Sequence, residues 1–202
     1  MSVNLYPGRV IAPARGQPLV FAFHGTGGDE HQFFGLARSI LPEAGVVSPR
    51  GDVRENGAAR FFRRTGEGVY DMDDLARATA RLTAYVQAHR AAHPDSPAYG
   101  FGYSNGANIL ASAVMAQPDL FDRVGLMHPL IPWSPDPAPD LAGKPVLITA
   151  GERDPICPRP RTQALIDWFT GQGAQVVSRF HPGGHELRPS EVTALQTLLT
   201  GA

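Results

Sequence analysis

Along the whole chain, apolar runs of strand length alternate with longer amphipathic stretches, and this alternation narrows the choice of fold more than any other feature. Six runs read as strands, at residues 18–23, 44–48, 98–103, 123–128, 145–150 and 175–180. Helical spacing fills the gaps at residues 30–41 (Phe33, Phe34, Ala37, Ile40, Leu41), 71–93 (Leu75, Ala78, Leu82, Tyr85, Val86), 105–116, 159–171 and 188–200. Such a sequence predicts an α/β fold, with a mostly parallel sheet and helices on both faces. The 17 residues before the first clear strand leave room for one more short strand near Arg9 to Ala12, which makes about seven. Asp29, Asp71 and Ser190 are expected helix starts, and Gly171 and Gly201 expected stops. A chain of 202 residues is expected to form one domain over residues 1–202, with no room for a lid domain. The proline-rich segment 129–145 reads as an ordered surface crossing, because strands continue on both sides.

Charge and composition exclude several functions. The 18 cationic residues nearly balance 19 acidic ones, and no basic tract stands out, so nucleic acid is not an expected partner. Lys144 is the one lysine; it precedes Pro145 with no glycine-rich loop around it, which excludes a P-loop and makes a lysine Schiff base improbable. The longest uncharged stretch, residues 96–118, carries Ser104, Asn105, Asn108 and three glycines, so no membrane span is expected. The lone cysteine, Cys157, rules out an internal disulfide and is expected to be structural. With no secretory pattern in residues 1–10, a cytoplasmic location is expected.

The chemistry concentrates around Gly102-Tyr103-Ser104-Asn105-Gly106, a G-x-S-x-G pentapeptide. Alone it is a weak signal, but here an alternating strand pattern precedes it and Ala107, Leu110, Ala111 and Val114 follow at helical spacing. A serine at such a strand-to-helix turn is exposed at the carboxyl edge of the sheet, and it needs a base and an acid to become a nucleophile. His128 precedes any acid-bearing strand end, which leaves His181 and His185; His185 is favoured because it follows the last strand by a loop. Glu152 and Asp154 both follow the strand at residues 145–150, and Asp154 is favoured because Pro155 stiffens its loop. Ser104, Asp154 and His185 are therefore the expected catalytic residues. Two backbone N–H groups are also required for an oxyanion. Asn105, opening a helix, is one expected donor, and Thr26, in His24-Gly25-Thr26-Gly27-Gly28 after the first clear strand, is the other. His24 itself is expected to be structural. Phe62, Tyr103, His128 and Leu130 are candidate substrate contacts. The loop from Arg50 to Asp74, with its five arginines, reads either as a wall of an aromatic or acidic acyl pocket or as a surface loop held by ion pairs.

With these residues placed, the chain resembles the phospholipase/carboxylesterase family of α/β-hydrolases, from about Leu19 onward. Ser48-Pro49-Arg50-Gly51 with Arg60-Phe61-Phe62-Arg63-Arg64, and the segment Gly151 to Pro158, look most like its branch associated with hydroquinone resistance. The chain departs from many members in carrying Asn105, rather than glutamine, after the serine. The resemblance implies an α/β-hydrolase fold and a serine carboxylesterase acting on small or short-acyl esters through an acyl-enzyme. Ser104, Asp154 and His185 would be its triad, with Thr26 and Asn105 as oxyanion donors and no cofactor or metal. A thioesterase is the alternative within enzymes, and a non-catalytic binding protein on the same fold the alternative outside them. A small-molecule ester is the expected partner, and a homodimer is compatible with the sequence.

Overall fold

The computed structural model describes residues 3–201. Its elements in chain order are β1 (Gly8–Ile11), β2 (Leu19–Phe23), α1 (Phe34–Ile40), β3 (Gly45–Pro49), β4 (Val53–Glu55), β5 (Ala58–Arg60), β6 (Arg64–Gly66), β7 (Val69–Tyr70), α2 (Met72–Ala92), β8 (Ala98–Tyr103), α3 (Asn105–Ala116), β9 (Arg123–Met127), β10 (Pro145–Gly151), α4 (Arg159–Gly171), β11 (Gln175–His181) and α5 (Pro189–Thr200). Seven strands form the central sheet in the order β1-β3-β2-β8-β9-β10-β11. All its pairings are parallel except that of β1 with β3. This is the architecture that the alternation predicted.

The two-residue period of the strands decides which side of the sheet each residue serves. Leu19, Phe21 and Phe23 of β2, with Val124, Leu126, Val146 and Ile148, face a core built with Leu75, Leu82 and Tyr85 of α2, Ile109 and Leu110 of α3, and Leu165 and Phe169 of α4. The intervening Val20 and Ala22, with Phe101, Met127 and Leu147, face the opposite core against Ala37 of α1 and Leu195 and Leu199 of α5. Among the described residues no helix is long and apolar enough to cross a membrane.

Several boundaries differ from the expectation. Asp29 does not start α1: its Oδ1 accepts the His31 N–H at 2.8 Å in a local turn, and the helix begins at Phe34. Asp71 does cap α2, accepting the Asp74 N–H at 3.1 Å. Helix α5 starts at Pro189, with Arg188 rather than Ser190 at its N-cap, and it stops at left-handed Gly201. Gly171 is the last residue of α4 and not its stop; left-handed Gly173 (φ 81°) turns the chain just beyond. The Arg-rich segment after β3 holds two hairpins that periodicity did not reveal, β4–β5 and β6–β7, with strands of two or three residues.

The sheet order reverses direction at β2, whose neighbours β3 and β8 are reached by crossovers on opposite sides. Crevices open beyond the carboxyl ends of strands at such a switch point. Here the end of β2 continues into the His24–Gly28 loop and the end of β8 into Ser104. Close seating of α3 brings the two together: a Cβ on Gly106 would lie 2.3 Å from the Phe23 carbonyl oxygen and 2.5 Å from that of His24. Both obstacles are backbone, so neither can swing aside. Gly106→Ala is expected to cost at least about 2 kcal/mol by overpacking, read as a lower urea midpoint at unchanged slope; a loss below about 0.5 kcal/mol would mean that the helix seats less tightly than this.

Candidate active site

Strand β8 ends at Tyr103, and Ser104 turns the chain into α3 with φ 52° and ψ −118°. A non-glycine residue rarely adopts this conformation, which is strained by about 1–3 kcal/mol. It is held by the Ser104 N–H donating to Met127 O and by Ser104 O accepting the Asn108 N–H, both at 2.9 Å. The turn presents the serine hydroxyl to a cavity of about 300 Å3.

Three side chains from separate loops meet there. His185 Nε2 lies 2.9 Å from Ser104 Oγ, and His185 Nδ1 lies 2.7 Å from Asp154 Oδ2. The loop carrying Asp154 and the loop carrying His185 are zipped together: the Glu152 N–H donates to His181 O at 2.8 Å and the Arg153 N–H to Gly183 O at 2.9 Å. That approach requires Gly151, where a Cβ would lie 2.0 Å from Gly184 O. Tyr103 adds support, its hydroxyl donating to His185 O and its ring lying against the imidazole at 5.3 Å between centroids. Of the alternatives, His181 faces Glu191, with Nε2 3.2 Å from Oε2, and Glu152 pairs with Arg159 at the surface.

Asp154 is fully buried at its side chain and every lone-pair direction is used. Oδ1 accepts the N–H groups of Ile156 and Cys157 at 2.9 Å each, while Oδ2 faces the Nδ1 atoms of His185 and His128, both at 2.7 Å. Burial alone would raise its pKa, but the hydrogen bonds from His128, the Cys157 N–H and His185 outweigh that and hold the carboxyl below its ordinary value.

The His24–Gly28 loop is fixed by its own bonds. His24 Nδ1 donates to Gly25 O at 2.7 Å, and its Nε2 accepts the Gly51 N–H at 2.9 Å, an assignment that needs a neutral ring. Burial, which lowers its pKa, agrees. The Gly25 N–H donates to Gln32 Oε1, Gly27 to Ala59 O and Gly28 to Gly25 O. Thr26 and Asn105 both line the cavity. The Asn105 side chain turns aside to accept the Phe61 N–H at 2.8 Å, which ties α3 to the Arg-rich segment.

The remaining expected contacts divide. Tyr103 and Leu130 line the cavity. Phe62 does not: it is fully buried beneath the wall, edge-on to Tyr70 at 4.8 Å. His128 does not either; it is fully buried behind Asp154, because β9 ends one residue earlier and a left-handed turn (φ 51°) drives the side chain under the sheet edge. Both readings of the Arg-rich segment hold in part. Arg60, Arg64, Glu67 and Tyr70 form one cavity wall, and ion pairs of Arg60 and Arg64 with Glu55, and of Arg64 with Glu67, hold it. Arg60 also donates to Thr26 Oγ1 at 2.7 Å.

The sequence reading missed the polar floor. Asn108 Nδ2 donates to the Tyr70 hydroxyl at 2.7 Å, its Oδ1 accepts the Leu130 N–H at 2.7 Å, and Tyr70 donates to Leu130 O at 2.8 Å. Its signal was available: Asn108 lies one helical turn from Ser104, on an otherwise apolar helix face. Cys157 also lines the cavity; burial pushes its thiol well above the ordinary range, and Sγ donates to His128 O at 3.1 Å. Two groups, His128-His181-Glu191 and His128-Asp154-His185, bring ligand-type atoms within 4.8 Å of one another. Imidazole N–H groups account for the contacts of His128 and His185 Nδ1 with Asp154, and the Nε2 atoms of His128 and His181 lie at ion-pair distances of 3.0 and 3.2 Å from Glu191. A hydroxyl on an imidazole that is braced by a carboxylate can release its proton to that imidazole, which is the chemistry of an activated oxygen nucleophile.

A family model described as "Putative esterase" matches residues 1–172 of the chain. The chain belongs to this esterase family. It is a carboxylic ester hydrolase of the α/β-hydrolase fold. It is 38% identical over 175 residues to "Putative hydrolase MhqD" of Bacillus subtilis, spanning 86% of this chain and 88% of that one. Among solved structures, it is similar to a protein of unknown function from Agrobacterium tumefaciens (50% identity, TM-score 0.93, 100% of this chain and 98% of that one). It is also similar to the Bacillus cereus carboxylesterase (33% identity, TM-score 0.87, 96% of this chain and 92% of that one).

Two outcomes follow from the strain and the buried charges. Ser104→Gly, which relieves the turn, is expected to raise stability by about 1 kcal/mol while the hydroxyl is lost; an unchanged or lower urea midpoint would contradict the strain. Glu191 is also held below its ordinary pKa: burial raises it, but bonds from His128, Thr149 and the Arg188 N–H prevail. His128 is shifted upward, burial being outweighed by Glu191 and Asp154. The depressed carboxyl stabilises above its unfolded pKa of about 4.3 and ceases to do so as pH falls through its folded value. The raised imidazole stabilises fully below about 6.5 and ceases to do so as pH rises through its folded value. The stability gap between wild type and Glu191→Gln is therefore expected to be widest, about 2 kcal/mol, between about pH 5 and 6.5. Thermal melts across pH check this, and a gap that grows above pH 8 would refute it.

Proposed function

We propose that the protein is a serine carboxylesterase acting on small, soluble esters, with Ser104 as nucleophile, His185 as base and Asp154 as the group that orients it. The observation that carries this reading is the unbroken run of contacts, 2.9 Å from Ser104 Oγ to His185 Nε2 and 2.7 Å from His185 Nδ1 to Asp154 Oδ2. Ser104 Oγ attacks the ester carbonyl carbon as His185 Nε2 takes its proton. Negative charge gathers on the carbonyl oxygen, and the N–H groups of Thr26 and Asn105 are the proposed donors to it, since neighbouring loop amides are bonded elsewhere. His185 then gives its proton to the leaving alkoxide, which departs as an alcohol. Water attacks the acyl-serine, with His185 accepting its proton, and the carboxylic acid leaves as Ser104 is restored. Asp154 stays ionised throughout and steadies the imidazolium as it forms. A cavity near 300 Å3, with arginines and a tyrosine in its wall, favours compact acyl groups over long chains.

A fluorophosphonate probe tests the assignment. Mass spectrometry is expected to find one adduct, on the peptide containing Ser104, and Ser104→Ala is expected to abolish labelling and to lower kcat on p-nitrophenyl acetate by about 10^3-fold or more. A wild-type adduct on another residue, or none, would overturn the reading.

A further inference from the structure

Behind Asp154 lies a second set of titratable groups that the proposed reaction does not use. His128 and Glu191 are buried, and neither lines the cavity. His128 Nδ1 is 2.7 Å from Asp154 Oδ2, and His128 Nε2 is 3.0 Å from Glu191 Oε1. An ionised carboxylate can only accept, so a nitrogen facing one carries a proton. The bonding around Glu191 marks it as ionised: Oε1 accepts the Thr149 hydroxyl at 2.6 Å and Oε2 accepts the Arg188 N–H at 2.7 Å. Asp154, with two backbone N–H groups on its other oxygen, is in the same condition. His128 thus has a carboxylate on each side, hydrogen-bonded at Nδ1 and at ion-pair distance from Nε2, a setting that favours the protonated ring.

The remaining neighbours do not compete for that charge. His181 accepts the Gly183 N–H at Nδ1, so its own proton sits on Nε2 toward Glu191. The Tyr103 ring stands edge-on to His128 at 5.7 Å, its hydroxyl bonded to His185 O and its pKa pushed up to about 12 by burial. The Cys157 thiol, which burial keeps protonated, donates to the His128 carbonyl. His185 reaches the same Asp154 oxygen from the cavity side. The backbone is arranged for this contact at some cost, since His128 adopts φ 51° and its N–H is fixed to Thr149 O at 2.8 Å.

We propose that His128 is a permanently protonated positioning residue: a buried imidazolium, held by Glu191, that shares the Asp154 oxygen used by His185 and so keeps His185 a free base to lower pH than a lone carboxylate would. The logic is electrostatic. An undiluted Asp154 charge favours the protonated form of His185, and a protonated His185 cannot take the serine proton. A cation on the far side of Asp154 offsets part of that pull, while Glu191 keeps the cation in place. Burying an imidazolium is otherwise costly, and two close carboxylates offset that.

This inference rests on the roles proposed for Ser104, His185 and Asp154, so its test has one arm that does not depend on turnover. In wild-type protein labelled with 15N-histidine, long-range 1H–15N correlation spectra are expected to show both His128 nitrogens with imidazolium shifts from pH 5.5 to above pH 8. A neutral His128 tautomer at pH 7 overturns the proposal even if the enzyme is active. An imidazolium at His128 in a protein without esterase activity would instead count against the proposed function. The second arm is His128→Asn, chosen because asparagine tolerates positive φ and can still donate to Asp154 without a charge. The acid limb of its kcat/KM profile on p-nitrophenyl acetate is expected to move up by about one pH unit, about a tenfold loss on that limb. A melting temperature that falls with no movement of the limb would show a merely structural role and overturn the proposal. If this variant does not fold, the spectra of the wild type still decide it.

Discussion

Helix α3 lies so close to the end of β2 that the Gly106 Cα rests against two backbone carbonyls, and the geometry of the site depends on that contact. It sets the Ser104 turn beside the His24–Gly28 loop, so that Ser104 from one crossover and Thr26 from another line the same cavity. It also aligns Asn105 to hold the Phe61 amide, which seats the Arg-rich wall. The opposite half of the site depends on a matching contact at Gly151, where the loops bearing Asp154 and His185 join by two backbone bonds. In both places the side chain that is missing does the positioning, because only bare backbone can come that near.

How much of this the sequence revealed depended on whether the signal was local. Strands and long helices were legible because their faces are decided by a period of two or of about three and a half residues, and burial on both sides of the sheet made the strands nearly continuous apolar runs. Ser104, Asp154 and His185 were legible because each follows a strand at the same edge of a parallel sheet, so their convergence is a matter of topology. His128 also follows a strand and was assigned to the cavity by the same logic. What sequence cannot convey is the left-handed turn that sends it underneath, since that φ is fixed by Thr149 and Cys157, residues remote in the chain. The hairpins of residues 53–70 left no periodic trace because strands of two or three residues are too short to repeat anything. Glu191 reads as an ordinary first-turn acid of a helix, and in the structure one oxygen does accept the Arg188 N–H. Its other oxygen, directed at Thr149 and His128, belongs to a relation across the fold.

Strain and buried charge gather at one edge of the sheet, and the rest of the molecule is arranged conventionally around them. Ser104 and His128 are two of the three non-glycine residues with positive φ among the described residues. Asp154, Glu191 and His128 are among its most buried ionisable groups. Each feature is destabilising alone, and apolar cores on both faces of the sheet tolerate them together. A site of this kind trades some stability for orientation: a carboxylate whose acceptor positions are saturated, as those of Asp154 are, is held in one direction.

The cavity wall is built differently from its floor. Hairpins β4–β5 and β6–β7 hang between β3 and α2, anchored inward by Phe61, Phe62, Tyr70 and the buried Arg60, which reaches Thr26, while Arg64 nearer the rim pairs with Glu55 and Glu67 of the same segment. Nothing in the sheet depends on what those tips carry. Selection can therefore rewrite the rim one charge at a time, altering which molecules are admitted while the machinery beneath stays untouched, and relatives with the same core can diverge in diet before they diverge in chemistry.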